Sequence, residues 1–380
     1  MKILILARGV PHRRDPQEGC FEMDQAIALS NLGHEVVIMS VDGRFRKYWR
    51  KLGIKKSSNK GVNAYKLFVF PTSVIKRLIS YKLGYKINAF LAKRLYKYVV
   101  SQHGNFDIIH AHFLPCIYSA SSIKKVNPDI KIVGTEHWSK VGQKVLSTEV
   151  KYLGNASYTF LDKLIAVSRE LGDNIRSNFG VESDVVYNLI DTTFLDKVKA
   201  KRSSTAYTIV ALGSLIKRKG FDVLIKAFAK SGLAEKGVIL KIIGEGRERA
   251  SLTELVNKHG LRDSVVMTGQ LDKERVYSEL KSSDLYVLSS RLENFSVAII
   301  EATACGLPAI ATLCGGVAEF PLKDVIKIQP DNVDEMASAI LRAYSEKDSV
   351  DNDRIKRECL SYFSPLAIGK QLENIYKSVL

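Results

Sequence analysis

Short apolar runs rich in Val and Ile alternate with helix-spaced stretches along almost all of the 380 residues, and few folds accept that pattern. Eleven runs read as strands: 2–7, 35–41, 107–110, 131–135, 163–167, 207–212, 238–243, 264–267, 284–288, 308–311 and 325–328. Between them, 21–32, 85–101, 220–229, 247–259 and 296–305 carry helical spacing. Strands that are apolar on both faces need cover on both faces. The alternation therefore predicts an α/β class with parallel sheets between helices. The polar, Lys- and Ser-rich stretch 196–205 interrupts the pattern, which then restarts, so it is the expected linker. The expected organisation is a first domain over 1–192, a second over 193–360, and a C-terminal helix within 361–380 packing back on the first. Both domains are doubly wound and Rossmann-like, facing each other across a cleft. Ligands of such sheets bind beyond the carboxyl ends of the strands.

Composition narrows the class. Hydrophobic residues make up 46% and charged residues 26%, the balance of a chain that buries a core rather than one that stays disordered. Five scattered cysteines without a C-x-x-C pair argue against a disulfide framework and for a reducing, cytoplasmic compartment. The opening MKILILA is too short for a secretory signal and reads as a buried first strand. No stretch has the apolar length of a membrane span. The formal charge is +17, and 16 Lys or Arg fall within 43–106, a window with no acidic residue. A solvated basic face is the ordinary explanation of one Lys cluster. An excess this concentrated implies an anionic partner, whether phospholipid, nucleic acid or acidic polymer.

The most informative stretch is 284–319, DLYVLSSRLENFSVAIIEATACGLPAIATLCGGVAE. A strand ends in the polar turn SSRLEN and a helix begins near Ser296, whose free N–H groups and positive dipole end suit a phosphate. Glu293 lies in the turn, placed to accept hydrogen bonds from sugar hydroxyls. Glu301 sits inside an apolar helix and needs a polar partner, since an unpaired buried carboxylate costs several kcal/mol. Ribose hydroxyls would serve, and so would a structural bridge to a lysine.

This stretch resembles the retaining glycosyltransferases of the GT-B fold, specifically family 4 (glycosyl transferases group 1). Their signature is two glutamates separated by seven residues, a small-residue helix end and a Gly-Leu-Pro strand entry; here it reads E-NFSVAII-E, then ATACGLPAIAT and CGGVAE. The resemblance implies that Glu293 contacts the donor sugar and Glu301 the ribose, with Asn294, Phe295 and Ser296 at the sugar and pyrophosphate. ALGSLIKRKGFDVLIKAF resembles the family's glycine turn and Lys-Gly element, placing Lys219 on the donor phosphates. Many members carry Arg where this chain has Ser214; Arg218 or Lys217 would compensate. IIGEG and VVMTGQL resemble the nucleoside turns, which implicates Gly244 and Leu271.

In the first half, VPHRRDPQEGCFEMDQ resembles the family's first loop, with Gly19 approaching the sugar where members often carry Gly-Gly. IVGTEHWSK matches at His137, near the reacting centre, and YNLID matches the entry to the linker with Leu189 in place of the usual Gly. His110 and His112 end the preceding strand, on the acceptor side. Three histidines without an acidic or Cys companion make a poor metal set, and Asp351-Asn352-Asp353 reads as a loop. No metal or other cofactor is expected.

The implied reaction moves a sugar from a nucleotide sugar, a UDP-sugar by family frequency, with retention of configuration. Lys219 and the helix start at Phe295–Ser296 would stabilise the departing diphosphate. The expected acceptor is a membrane-associated, lipid-linked glycan or glycolipid in surface polysaccharide assembly. In 74–100, Ile87, Phe90, Leu91, Leu95 and Val99 share a helical face flanked by basic residues. Packing on the domain's own sheet is the common explanation of such a stripe. The basic and aromatic surplus favours docking on an anionic leaflet through Lys76, Arg77, Lys82, Lys86, Lys93 and Arg94, peripheral on the inner face of the cell membrane. A nucleotide-sugar epimerase of the same fold and a basic nucleic-acid-binding protein are the competing readings. No recognisable nucleic-acid module accompanies the charge, and no G-x-G-x-x-G follows the first strand as a NAD-dependent oxidoreductase would require.

Overall fold

All eleven expected strands form, and among the described residues three more join them. The structure, a computed structural model, describes residues 1–12, 15, 18–45, 51–143, 145–199 and 205–380. Contacts divide the chain into two compact units, Met1–Leu189 with Pro365–Leu380, and Ile190–Ser364.

The first unit contains β1 (Lys2–Leu6), α1 (Cys20–Asn31), β2 (Glu35–Asp42), β3 (Gly53–Asn59), β4 (Val62–Phe68), α2 (Thr72–Leu78), α3 (Tyr81–His103) and β5 (Ile108–His112). It continues with α4 (Leu114–Lys124), β6 (Lys131–Glu136), α5 (Thr148–Ser157), β7 (Lys163–Ala166), α6 (Arg169–Phe179) and β8 (Asp184–Val185). Its sheet runs β3-β4-β2-β1-β5-β6-β7-β8. All pairings are parallel except that of β3 with β4. Ile3, Ile5, Ile38, Ile108, Val133 and Ile165 line one face of it, and α1 covers them with Met23, Ala26 and Leu29. β3 and β4 escape the apolar-run pattern for a physical reason. β3, GIKKSSN, is exposed throughout. It is an edge strand held by its hairpin with β4, and its lysines discourage pairing with another chain.

The second unit holds α7 (Thr193–Lys197), β9 (Thr208–Leu212), α8 (Phe221–Ser231), β10 (Ile239–Ile243), α9 (Arg249–Lys258), β11 (Val265–Gly269) and α10 (Lys273–Lys281). It closes with β12 (Leu285–Leu288), α11 (Val297–Ala304), β13 (Ala309–Thr312), β14 (Val325–Ile328), α12 (Val333–Ser345) and α13 (Asn352–Phe363). The sheet order is β11-β10-β9-β12-β13-β14, parallel throughout. From β9 the chain winds outward through β10 and β11, then returns to place β12 on the other side. The switch point therefore falls between β9 and β12, where such sheets bind ligands.

The last helix, α14 (Pro365–Val379), belongs to the first unit. It buries Ile368, Leu372 and Tyr376 in the core beneath α1. Two expectations need correction. Asp351–Asp353 is not a loop: the Asp351 carboxylate accepts from Arg354 N at 2.9 Å and caps α13. The stretch 196–205 begins inside α7, and its residues 200–204 lie outside the described residues, as do 13, 14, 16 and 17 of the first loop and 46–50 of the basic window.

Candidate active site

In the second unit, the sequence-selected residues gather on the carboxyl edge of the sheet. Ser214 follows β9, Gly244 follows β10, Leu271 follows β11, and Glu293 to Ser296 follow β12. The edge is tightly built. Gly213 N donates to Ile243 O at 3.0 Å, Gly244 N to Gly269 O at 3.0 Å, and Leu215 N to Glu245 O at 3.0 Å. Ser214 is exposed and Leu271 half-buried.

The centre lies at the switch point. Lys217–Lys219 forms one 3-10 turn closed by Gly220, and the Lys219 ammonium pairs with Glu293 Oε1. Ser290 Oγ donates to the same oxygen at 2.8 Å, while Oε2 takes no hydrogen bond among the described residues. Glu293 is 8% exposed, so its charge depends on those two donors. Gly315 supports it from below: with φ at 57°, a side chain there would be strained, and its Cβ would collide with the Glu293 carbonyl oxygen. Gly316 N then donates to Asn294 O at 3.0 Å. Phe295 is buried between Phe320 and Phe363, at ring distances of 5.0 and 5.9 Å.

Several buried polar atoms around this pair have no hydrogen-bond partner among the described residues: Ser296 Oγ, Arg218 Nε and Tyr286 OH. Ser296 sits at the N-cap of α11 without capping it. Arg218 precedes Lys219 and makes no ion pair among the described residues. Tyr286 is fully buried, and burial, then the charges of Glu293 and Glu301, push its hydroxyl well above its ordinary value. Each such orphan costs about 1–3 kcal/mol, and buried orphans of this kind call for a ligand or water. Glu301 is half-buried on α11, and its charge acts on Tyr286 together with that of Glu293.

The first unit builds a second cluster at the carboxyl ends of adjacent β1, β5 and β6. Gly19, with φ at 69°, opens α1 without a side-chain cap, and any Cβ there would collide with Gly9 O. Phe21 stacks on His137 at 5.8 Å, and Phe113 lies 4.8 Å from the same ring. Arg8, exposed at the end of β1, sits over Phe113 at 4.3 Å. His137 Nε2 and His112 Nδ1 share a 3.0 Å hydrogen bond. Glu136 fixes this strand end. Its Oε1 accepts from His137 N at 3.0 Å and Trp138 N at 2.8 Å, and its Oε2 from Tyr158 OH at 3.1 Å.

The acceptor assignment of His110 is corrected. The residue is 0% exposed, and both ring nitrogens are taken, by Thr135 Oγ1 at 2.6 Å and Tyr376 OH at 2.7 Å. It is a buried packing residue that ties α14 to β5. His112 is equally buried, with Nδ1 bonded to His137 and Nε2 without a partner among the described residues. Among the described residues, no group of three or more His, Cys, Asp or Glu is placed to hold a metal ion.

These buried rings give the first unit a pH dependence. Burial holds His110 and His137 down to about 3 and His112 well below its ordinary 6.5. Unfolded histidines take up protons that the folded ones refuse, so their contribution is present above 6.5 and lost as pH falls toward 3. Glu136 and Glu22 work in the opposite direction. Burial pushes Glu136 up to about 7 from its ordinary 4.5, so its contribution is full below 4.5 and lost as pH rises through 7. Glu22 is raised likewise. The two carboxyls oppose the three histidines between pH 6.5 and 4.5, and below 4.5 the histidines act unopposed. Melting temperatures are expected to fall on acidification below pH 4.5, and a flat profile there would contradict this balance.

The basic window is rearranged relative to expectation. The buried face of α3 is Gly84, Tyr85, Ala89, Ala92, Leu95, Tyr96 and Val99, whereas Phe90 is exposed. Small residues let α3 approach α4, so the seam runs through alanines rather than through Ile87, Phe90 and Leu91. Lys76 is not a surface cation: it packs over Tyr85 at 3.7 Å, and burial lowers it to about 8. Lys66 is buried between Glu18 and Asp42, at 2.6 and 3.4 Å. Arg77, Lys82, Lys86 and Arg94 are exposed and Lys93 half-buried. Between α2 and α3 the chain presents Leu78 (74% exposed) and Ile79 (72%), with Phe70 (69%) also bare. No helix among the described residues is long and apolar enough to cross a membrane.

Sequence reasoning overlooked Ser289, Ser290 and Arg291, although the polarity of SSRLEN marked their turn. It also overlooked Tyr286, Glu136 and Tyr376, which read as strand or helix residues and acquire meaning only through burial.

Two family profiles match the chain: Glycosyl transferases group 1 over residues 193–358, and Glycosyltransferase Family 4 over residues 23–194. A phosphatidylinositol N-acetylglucosaminyltransferase component from Arabidopsis thaliana is 28% identical over 253 residues, which cover 66% of this chain and 57% of that protein. N-acetyl-alpha-D-glucosaminyl L-malate synthase from Bacillus anthracis is 28% identical over 306 residues, 77% of this chain and 74% of that protein. The chain thus spans little more than half the length of the plant relative. Among solved structures, sucrose-phosphate synthase from Thermosynechococcus elongatus superposes with a TM-score of 0.76 at 17% identity, covering 100% of this chain and 99% of that one. HepE from Anabaena, in complex with UDP and glucose, gives 0.71 at 16% identity, covering 100% of both chains.

Proposed function

Because the chain belongs to glycosyltransferase family 4 (glycosyl transferases group 1), with an α/β fold of the GT-B class, we propose that it transfers a sugar from a nucleotide diphosphate donor to an acceptor at an anionic membrane surface. The observation that carries this reading is the Lys219–Glu293 pair at the β9/β12 switch point, beside an uncapped helix start. Cleaving the donor breaks the bond from the anomeric carbon to the phosphate oxygen, and the diphosphate leaves with the electron pair. Lys219, Arg218 and the N–H groups at Phe295–Ser296 would meet that charge, with Arg218 answering for Ser214. Glu293 Oε2 would grip the sugar and Glu301 the ribose. No carboxylate stands out as a nucleophile in the sequence. We therefore favour front-side attack with retention: the acceptor oxygen bonds to the face the diphosphate leaves, and its proton passes to a leaving phosphate oxygen. His137 would position the sugar, with Gly19 allowing close approach. No step needs a metal.

UDP is the preferred nucleotide, supported by its presence in the Anabaena HepE complex. A lipid-linked acceptor is supported by the phosphatidylinositol named for the plant relative and by the acid-free basic window. Thermal shift against a nucleotide-sugar panel, followed by donor turnover with and without membrane glycolipid, tests this. Acceptor-dependent release of the nucleoside diphosphate is expected. Interconversion of the donor sugar without an acceptor would favour the epimerase alternative.

The docking surface is assigned to the α2–α3 elbow, where Leu78 and Ile79 stand among Arg77, Lys82 and Lys86. Apolar tips enter the headgroup boundary, and each nearby cation adds about 1 kcal/mol on an anionic leaflet. Cosedimentation with phosphatidylglycerol-containing vesicles is expected to exceed that with pure phosphatidylcholine. The Leu78→Asp, Ile79→Asp double variant should bind about tenfold less, equivalent to roughly 1.4 kcal/mol. Equal recovery on both vesicle types would count against docking.

A further inference from the structure

Three successive main-chain carbonyls of the Lys217–Lys219 turn are each held from the strand end after β12. Arg291 Nη1 donates to Lys217 O, Arg291 N donates to Arg218 O at 2.8 Å, and Ser289 Oγ donates to Lys219 O at 2.9 Å. The contact is close: a Cβ on Gly220, the residue that closes the turn, would collide with Ser289 O. The guanidinium is fixed from its other side. It makes two bonds to Asp222, in the first turn of α8, at 2.9 and 2.8 Å. Its Nε donates to Asp331 at 2.6 Å.

We propose that Arg291, with Ser289, is a positioning residue that clamps the Lys217–Lys219 turn and so aims Lys219 at Glu293 and at the donor diphosphate. The proposal rests on the donor-site reading above. Arg291 is itself unsuited to bind phosphate, since two carboxylates neutralise it and its side chain is only 23% exposed. Arg218 is the opposite case, a cation with no ion pair among the described residues. The clamp needs the planar fork of an arginine. A lysine ammonium cannot bond Asp222, Asp331 and a carbonyl oxygen in three separate directions while staying in that plane. Without the clamp, the Lys219 side chain would sample its rotamers from a loose turn, and a displacement of about 1 Å is enough to degrade a charge-stabilising site.

The test is calorimetric titration of the full chain with UDP and GDP, each compared with its nucleoside, uridine or guanosine. The nucleosides report the base and ribose contacts, and the diphosphates add the lysine. Arg291→Ala is expected to lower affinity for the preferred diphosphate about tenfold and leave that for its nucleoside unchanged. Arg291→Lys should restore only part of the loss. In the Lys219→Ala background, Arg291→Ala should add nothing, because the residue it aims is gone. Ser289→Ala, the milder variant, removes only the bond to Lys219 O and should cost about threefold by the same diphosphate-selective route. Additive losses, parallel losses for diphosphate and nucleoside, or undiminished diphosphate binding in both Arg291→Ala and Ser289→Ala would overturn the proposal. Wild-type binding of diphosphate no tighter than nucleoside would overturn the donor reading itself, and the clamp with it.

Discussion

Lys219→Ala is expected to lower turnover by about two to three orders of magnitude, the usual cost of removing one preorganised donor from a developing charge. The loss should appear in kcat as well as in donor affinity, because the diphosphate carries more charge when leaving than when bound. Stability should fall far less. The substitution strips Glu293 of one partner but leaves Ser290 Oγ at 2.8 Å, so the cost stays near 1–3 kcal/mol, a shift of a few degrees in Tm. Steady-state rates measured well below that Tm separate the two effects. A variant that turns over at the wild-type rate would remove Lys219 from the mechanism.

Glu293→Ala should separate sugar from phosphate. Its Oε1 is occupied by Lys219 and Ser290, and on the proposed reading Oε2 would hold a hydroxyl of the donor sugar. Turnover is expected to drop at least about a hundredfold as orientation of the sugar is lost. The ammonium it restrained is then freed for the diphosphate, so UDP should bind as tightly as to the wild type or more so. Rates and UDP calorimetry on the same preparation check both halves. Parallel loss of UDP affinity would mean that Glu293 supports the site structurally rather than gripping the sugar.

What the sequence made legible follows from which forces act locally. The parallel strands could be read because burial on both faces forces continuous apolar runs, as in TIVAL of β9 and LYVL of β12. The edge hairpin β3–β4 could not, because an exposed strand needs no apolar face and is defined by its pairing. The stripe on α3 was misplaced because helix seams are set by close approach. Ala89 and Ala92 are buried there while Phe90 is left outside, a choice that depends on the neighbouring helix. Glu293 and Glu301 stand out by their places in a polar turn and an apolar helix, and family resemblance adds Lys219 and gives all three their roles. That Lys219 and Glu293 pair across 74 residues is a property of the strand order. Arg291 and Tyr376 lay beyond reach for the same reason, since their partners Asp222 and His110 are 69 and 266 residues away. His110 was assigned to the acceptor side because a strand-end histidine looks accessible in sequence, and only the fold places Tyr376 over it.

The central claim is that the β9/β12 switch point receives a nucleotide diphosphate. A crystal structure of the chain with UDP tests it most directly. The account predicts phosphate oxygens within hydrogen-bond distance of Lys219 Nζ and the amino end of α11, with the ribose hydroxyls at Glu301. Nucleotide bound away from that edge of the sheet, with the Lys219–Glu293 pair undisturbed and Ser296 Oγ still unpartnered, would contradict it.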